Sequence, residues 1–239
     1  MADIVFVFDP ALDRPIPLPD AAPPAIAAAI SAAPLDALQA AFTTARETEA
    51  AAVVLFGRVL DPHRASPAQA AALRTLILDR AAAGCHTVWV TDDADDCGAI
   101  AQMLGDPRGL LFATPATPVR LDIRGLPVEI LRAHGGITAA AHAAALPTGT
   151  GLLEHRVIVG WDRSFWSAER WDDATIADSP QSLAGWTQPG CHCVWGSRRP
   201  QLLPAGIRHV PPLQPRSVHE TTAGGCSLLS LIDFDDDLD

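Results

Sequence analysis

Charged side chains follow three predicted strands of the amino-terminal half, each at the point where the strand ends. Asp9 directly follows the first apolar run, and Arg58 follows the second after a glycine. The third run ends in the turn 92–96, which includes Asp93 and Asp95. Because functional loops of open α/β sheets lie at the carboxyl ends of the strands, these side chains are expected to meet. Such carboxylates can bind divalent ions or pair with arginine, whereas the structural alternative is that they cap helices and turns.

A parallel α/β arrangement would bring these strand ends together, and its pattern runs through the first half of the chain. Apolar runs of strand length alternate with helical periodicity in the order β-α-β-α-β-α-β. Ser66 and Pro67 have the types expected of a helix N-cap and a first helical residue. The Pro- and Ala-rich stretch 12–34 predicts a long loop, or a loop with one short helix. The predicted strands are 3–8, 51–57, 86–91 and 110–113, and the predicted helices are 35–48, 67–83 and 98–104.

The second half of the chain has short apolar runs separated by loops rich in Gly, Pro and Trp. This pattern predicts a second sheet that packs on the first, with the helices outside. We predict one domain over 1–239 with an acidic tail at 233–239. The predicted strands of this half are 117–123, 126–131, 155–160, 191–195, 207–210 and 225–231.

The composition limits the classes of partner. The chain has 17 Lys and Arg residues against 28 Asp and Glu, a net charge of −11, which argues against a broad nucleic-acid surface but leaves a local arginine patch open. A hydrophobic content of 49% is enough for a core. No cationic leader and no uninterrupted apolar run of about 18 residues is present, so we expect no membrane span. Five scattered cysteines fit reduced thiols, and we expect a cytoplasmic protein.

The order of these strand-end motifs resembles that of the calcineurin-like metallophosphoesterases, and within them the SbcD-type subunits of DNA-repair exonucleases. The motifs of that family run D-x-H, G-D, G-N-H-D, a single His and G-H-x-H. Residues 6–18, FVFDPALDRPIPL, are similar to its opening, and residues 194–233 are similar to its closing segment. The resemblance implies a four-layer α/β/β/α sandwich over nearly the whole chain. We expect no capping domain, which the SbcD-type subunits have in addition. The matching residues are Leu12, Asp13, Pro15, Gly196, Pro211, Gln214, Arg216, Glu220, Gly225 and Cys226.

Most positions that bind metal in that family carry other residues here. Ala11 stands at the His of D-x-H, Arg58 at the bridging Asp of G-D, and Ala94 at the His of G-N-H-D. A guanidinium at the bridge would repel two dications held about 4 Å apart. We therefore expect no metal cofactor. We hypothesise that Arg58 pairs instead with Asp9 and Asp93, with Asp95 as a further candidate. The further departures are Gly160 or Trp161 at the lone His, and Ser197, Arg198 and Arg199 after the Gly of G-H-x-H.

These departures predict a pseudoenzyme that acts as a scaffold or partner-binding subunit. The resemblance to SbcD-type subunits implies a role in DNA repair. Asp9, Arg58, Asp93 and Asp95 would form its vestigial site. The resemblance implies a coiled-coil ATPase of SbcC type as a partner, and a homodimer or another protein partner is equally open. Nucleic-acid binding also stays open, while no membrane partner is expected. Candidates for contact with a substrate phosphate are Arg198, Arg199 and Arg216, and prolines or threonine replace family glycines at Pro212, Pro215 and Thr222.

Two alternative functions stay open at this point. The chain could be a residual metal-dependent exonuclease or phosphodiesterase that holds one Mn²⁺ or Mg²⁺ ion on Asp9, Asp93 and Asp95. It could also be an unrelated small-molecule-binding domain that uses the same cleft.

Other possible metal ligands have poorer spacing. The sequence Cys191-His192-Cys193 is too closely spaced for a zinc pair, and in a strand its two cysteines would face away from the histidine. His134, His142 and His155 have no ligand spacing on one helix. Most tryptophans of the cluster Trp161, Trp166, Trp171, Trp186 and Trp195 are expected in the core, with at least one available for an interface.

Overall fold

The structure of the chain is a computed structural model. The structure describes residues 2–14, 16, 18, 22–92, 94–133, 155–161, 190–198, 203–214 and 224–231. Within these ranges the chain is mixed α/β, with two five-stranded sheets and three helices. The predicted α/β class is therefore confirmed at this level.

The first sheet has the strand order β10-β1-β2-β3-β4. The strands β1 to β4 are parallel, as the alternation of strands and helices predicts, and every residue of β1 and β2 is buried. The last strand of the chain, β10, pairs antiparallel with β1 and makes the sheet mixed. The bounds are β1 Ile4–Phe8, β2 Ala52–Phe56, β3 His86–Val90, β4 Leu110–Ala113 and β10 Ser227–Leu229.

The second sheet has the strand order β5-β6-β7-β8-β9. Its first two strands form an antiparallel hairpin, and β6 to β9 are parallel. The bounds are β5 Val119–Ile123, β6 Leu126–Arg132, β7 His155–Trp161, β8 Cys191–Gly196 and β9 Ile207–Val210.

Three helices connect the strands of the first sheet: α1 Pro24–Glu47, α2 Pro67–Ala82 and α3 Ala94–Leu104. The Ser66 hydroxyl accepts the Gln69 N–H while the Gln69 side chain accepts the Ser66 N–H, a capping box that fixes the start of α2 as predicted. The prediction of a loop at 12–34 was wrong for the part from residue 24 onward. Pro24 occupies the first helical position, where proline is favoured, and the alanines that follow are strong helix formers.

Two apolar clusters fix the layers. One lies between the two sheets and holds inward side chains such as Phe6, Val54 and Val157. The other lies between the first sheet and its helices and includes Leu38, Phe42, Leu73 and Ile77. Buried side chains also occupy the opposite face of the second sheet: Leu131, Ile158, Cys193 and Trp195. Both faces of both sheets therefore carry buried apolar residues.

The helix α1 changes the expectation about membranes. We expected no membrane span because the sequence has no uninterrupted apolar run of about 18 residues. By length and composition, however, α1 is long and apolar enough to cross a membrane. The second half of α1 packs on the first sheet through Leu38, Phe42 and Ala45, although only 22% of its most apolar 18-residue stretch is buried. One helix of this kind is weak evidence of a membrane span, because core helices and amino-terminal signal sequences pass the same test of length and composition.

Candidate functional site

Asp9 lies at the carboxyl end of β1, and its side chain is fully buried. Its backbone has φ of 52°, in the left-handed region, and its N–H donates to the carbonyl oxygen of Phe56 at 2.9 Å. The loop after β1 then runs beside the loop after β2, because the Ala11 N–H donates to the Arg58 carbonyl at 2.8 Å. The ends of two neighbouring parallel strands thus meet where the sequence places Asp9 and Arg58.

The Arg58 guanidinium binds the Asp9 carboxylate with two hydrogen bonds, and the Arg58 backbone N–H adds a third. Its Nε donates to Oδ1 at 2.9 Å and its Nη2 donates to Oδ2 at 3.0 Å, while its backbone N–H lies 3.3 Å from Oδ1. This paired geometry is the strongest that a guanidinium makes with a carboxylate. Gly57 allows the turn, since its φ is 77° and an added Cβ would lie 2.8 Å from the Phe8 ring.

Arg198 reaches the same carboxylate from the second sheet. It follows β8 by two residues, is almost fully buried, and its Nη2 donates to Asp9 Oδ2. Gly196 makes this approach possible, because a Cβ there would lie only 2.5 Å from Phe8 and 2.6 Å from Phe56. Asp9 therefore joins the two sheets through guanidinium groups on both of its oxygens.

The closing segment borders this site. The Leu213 N–H donates to the Phe8 carbonyl at 2.8 Å, and Pro212 pairs with Phe8 in an isolated bridge. The neighbouring Ser197 points elsewhere, since its hydroxyl lies 3.0 Å from His209 Nε2 on β9. Of the described residues 196–198 of the closing motif, Arg198 is therefore the one whose side chain bonds Asp9.

A second ion pair crosses between the sheets at the same end of the strands. The Nε of Arg132, the last residue of β6, donates to Asp92 Oδ1 at 2.7 Å. The guanidinium carbon lies 3.5 Å from the ring centroid of Trp161, a cation–π contact, and Nη1 lies 3.4 Å from the Val159 carbonyl. Sequence reasoning missed Arg132, although a charged residue that ends the apolar run 126–131 was a usable signal.

The other predicted site residues have different outcomes. Asp93, Arg199 and Arg216 lie outside the described residues. The backbone of Asp95 is in the first turn of α3, and its side chain is not among the described groups. Trp161 and Trp195 are buried, as predicted for core residues. The positions His134, His142, Trp166, Trp171 and Trp186 lie outside the described ranges.

The Cys191-His192-Cys193 sequence lies in β8, as predicted. Cys193 packs against Leu131 and Ile158 on the outer face, and burial raises its thiol pKa to about 12. His192 faces the other side, where its Nε2 lies 3.1 Å from Nδ1 of His155. Within the described ranges no three or more His, Cys, Asp or Glu residues form a group that could hold a metal ion.

The two-metal centre that the resemblance implies does not fit these residues. Its first carboxylate, Asp9, already accepts hydrogen bonds from two guanidinium groups. Ala11 is buried, and Arg58, which the resemblance aligns with the bridging Asp, is paired with Asp9. A dication beside Asp9 would meet two fixed positive charges in a site with little solvent, where their repulsion is weakly screened. This arrangement can hold the strand ends together, and it leaves Asp9 no oxygen that is not already bonded to an arginine.

Comparison with known proteins adds no family. No protein-family model matches the chain, and no curated protein matches it significantly.

Proposed function

We propose that this chain is a catalytically inactive relative of the calcineurin-like metallophosphoesterases, of the SbcD type, that acts as a scaffold or partner-binding subunit. One observation carries the proposal: the Asp9 carboxylate binds Arg58 with both oxygens and also accepts Arg198. An enzyme of that class needs this carboxylate for a metal ion. Here two side chains of the chain itself neutralise it.

The arrangement of the sheets supports the family part of the proposal. The carboxyl ends of β1, β2, β3, β6 and β8 meet at one edge, where Asp9, Arg58, Asp92, Arg132 and Arg198 lie. Each sheet has buried apolar side chains on both faces. A four-layer α/β/β/α sandwich would require this of its two inner sheets, and we propose that architecture.

The proposed partner is a protein, either a second copy of this chain or an ATPase of the coiled-coil type. The resemblance to SbcD-type subunits is what suggests the ATPase. The net charge of −11 makes a long stretch of nucleic acid the less favoured partner. A scaffold role does not need metal chemistry, which the two guanidinium groups at Asp9 oppose by charge repulsion.

Metal binding by calorimetry tests the inactive state of the site. The native protein should bind neither Mn²⁺ nor Mg²⁺ at millimolar concentration. The double variant Arg58→Ala, Arg198→Ala should gain measurable Mn²⁺ binding, because it frees the Asp9 carboxylate. Arg74→Ala, which removes an exposed arginine of α2, is the matched control and should bind no metal.

The alternative of a residual metal-dependent nuclease or phosphodiesterase predicts the opposite result. Tight, stoichiometric Mn²⁺ binding by the native protein would contradict our proposal, and hydrolysis of a DNA or phosphodiester substrate would then be measured. A partner search by mass spectrometry of crosslinked complexes tests the scaffold part separately. A native protein that stays monomeric and crosslinks to no protein would contradict that part.

A further inference from the structure

Two histidines meet at the amino-terminal ends of β7 and β8, far along the strands from the Asp9 site. His155 begins β7, and His192 is the second residue of β8. Their rings are nearly parallel, with an interplanar angle of 13° and centroids 5.4 Å apart. Nδ1 of His155 lies 3.1 Å from Nε2 of His192, which is a hydrogen-bond distance.

The hydrogen bond connects two strands on the face that packs against the first sheet. His155 and Val157 lie on the same face of β7, since side chains alternate along a strand, and Val157 is in the core between the sheets. Val157 is also the register partner of His192. His192 is nearly fully buried, so this polar contact lies at the end of an apolar layer.

The charged groups around the pair can be assigned strand by strand. Arg208 of β9 lies on the same face, and its Nη1 donates to the Leu228 carbonyl of β10. On the opposite face, Arg156 of β7 lies near Glu129 of β6.

Two further titratable groups lie at this end of the strands. Cys191 is on the opposite face of β8, and Asp3, just before β1, is held by Arg124 at 3.1 Å. Arg208 therefore adds positive charge on the face of the second sheet that carries the histidine pair. The negative charge of Glu129 lies on the opposite face, near Arg156.

We propose that the His155–His192 pair is a proton-operated latch that holds the amino-terminal ends of β7 and β8 together and releases them in acid. An N–H···N bond needs one nitrogen with a hydrogen and one without. A pair with no extra proton, or with one, can form this bond. A pair with two extra protons cannot, because both facing nitrogens then carry hydrogen and both rings are positive.

The lowered pKa of His192 places the release in acid, near pH 4. Burial, the neighbouring His155 and Arg208 all lower the pKa of His192, from 6.5 to about 4. The second proton is therefore bound only well below neutral pH. This latch does not depend on the proposed function, since it lies at the other end of the strands from Asp9.

Amide hydrogen exchange gives a local readout of the latch. The Arg156 N–H donates to the Gly190 carbonyl at 2.8 Å, beside the histidine pair. Its protection factor, corrected for intrinsic exchange, should fall at least about tenfold between pH 6.5 and pH 4. The amide of Val54, in the centre of the first sheet, exchanges through global unfolding and should stay clearly more protected than that of Arg156 at pH 4. Equal protection of the two amides at pH 4 would mean that Arg156 exchanges only through global unfolding and would overturn the proposal.

Variants separate the pair from other acid effects. In His192→Phe the pH dependence at Arg156 should shrink to less than about twofold, because no second proton can enter the pair. If this variant does not fold, His155→Gln serves, since glutamine can accept a hydrogen bond but cannot become charged. His86→Gln, which removes an exposed histidine of β3, should behave like the native protein. Unchanged acid opening in both pair variants would overturn the latch.

Nitrogen NMR of the rings provides the second test. The native protein should show His192 binding its proton near pH 4. Titration of the His192 ring near pH 6.5 would contradict the proposal.

Discussion

Asp9 is shared by two arginines that come from different sheets, so its charge stabilises both. The carboxylate is fully buried and Arg198 is nearly so, whereas about a fifth of the Arg58 side chain is exposed. Loss of the carboxylate charge would remove the anion that the buried Arg198 guanidinium bonds. The cost therefore comes mainly from Arg198.

Asp9→Asn tests this at the residue scale. We expect the free energy of unfolding to fall by about 3–5 kcal/mol, the range seen when one member of a buried ion pair is removed. Urea denaturation of the variant measures it. Asp79→Asn, at an exposed position of α2, is the control and should change the free energy by less than about 0.5 kcal/mol. A loss below about 1 kcal/mol for Asp9→Asn would mean that the three groups do not act as a buried cluster.

Arg132→Lys separates charge from shape at the second ion pair. In the native protein the planar guanidinium lies on the Trp161 ring while its Nε bonds Asp92. Lysine keeps the charge, but it has no planar group and only one nitrogen, so it cannot make both contacts in this way. We expect a loss of about 1–3 kcal/mol and a shifted Trp emission spectrum. Arg74→Lys, on the exposed side of α2, should change neither. An unchanged spectrum in Arg132→Lys would show that the ring contact is unimportant.

At the scale of single elements, close approach of the sheets depends on Gly196. Its missing Cβ leaves room for the Phe8 and Phe56 rings, which would lie 2.5 and 2.6 Å from an added methyl group. Gly196→Ala should therefore destabilise the protein by about 1–3 kcal/mol and loosen Arg198 from Asp9. Thermal unfolding measures the first effect.

The matched control is Gly98→Ala in α3, where an added Cβ meets nothing within 4 Å. Alanine there should stabilise the helix by about 0.5–1 kcal/mol. Equal stability of Gly196→Ala and the native protein would show that the sheets can move apart without cost.

The elements also show what could be predicted from sequence. The strand runs were found within one or two residues because buried parallel strands are continuous apolar runs, and Ser66 marked the start of α2. The start of α1 was missed because Pro23 and Pro24 looked like a loop, although proline is favoured at a helix start. A proline-rich stretch of sequence does not show by itself whether its prolines lie in a loop or begin a helix.

At the scale of the whole molecule, the site depends on contacts between distant parts of the chain. Asp9 and Arg58 could be placed together because both follow neighbouring parallel strands. The contact of Arg198 with Asp9 spans 189 residues, and that of Arg132 with Asp92 spans 40 residues. Local sequence can mark Arg132 and Arg198 as charged residues near strand ends, but it cannot predict their partners, because both contacts depend on how closely the two sheets pack. The pairing of His155 with His192 likewise depends on strand register, which composition does not specify.

The molecule should not depend on divalent ions for its stability. If Arg58 and Arg198 replace metal at Asp9, neither chelator nor Mn²⁺ should move the unfolding temperature by more than about 1 °C. Differential scanning calorimetry with and without chelator tests this. Stabilisation that grows with Mn²⁺ concentration would indicate a bound ion and contradict the arginine replacement.

Acid should weaken the whole fold through His192. Its pKa is about 4 in the folded state against 6.5 ordinarily, so the unfolded chain binds more protons between these values. The free energy of unfolding therefore falls as the pH drops from 6.5 towards 4, by at most about 3 kcal/mol from this group. Urea denaturation at several pH values measures the slope, which His192→Phe should reduce and His86→Gln should leave unchanged. An equal slope in the native protein and His192→Phe would assign acid sensitivity to other groups, and the buried histidine would then bind its proton at an ordinary pH.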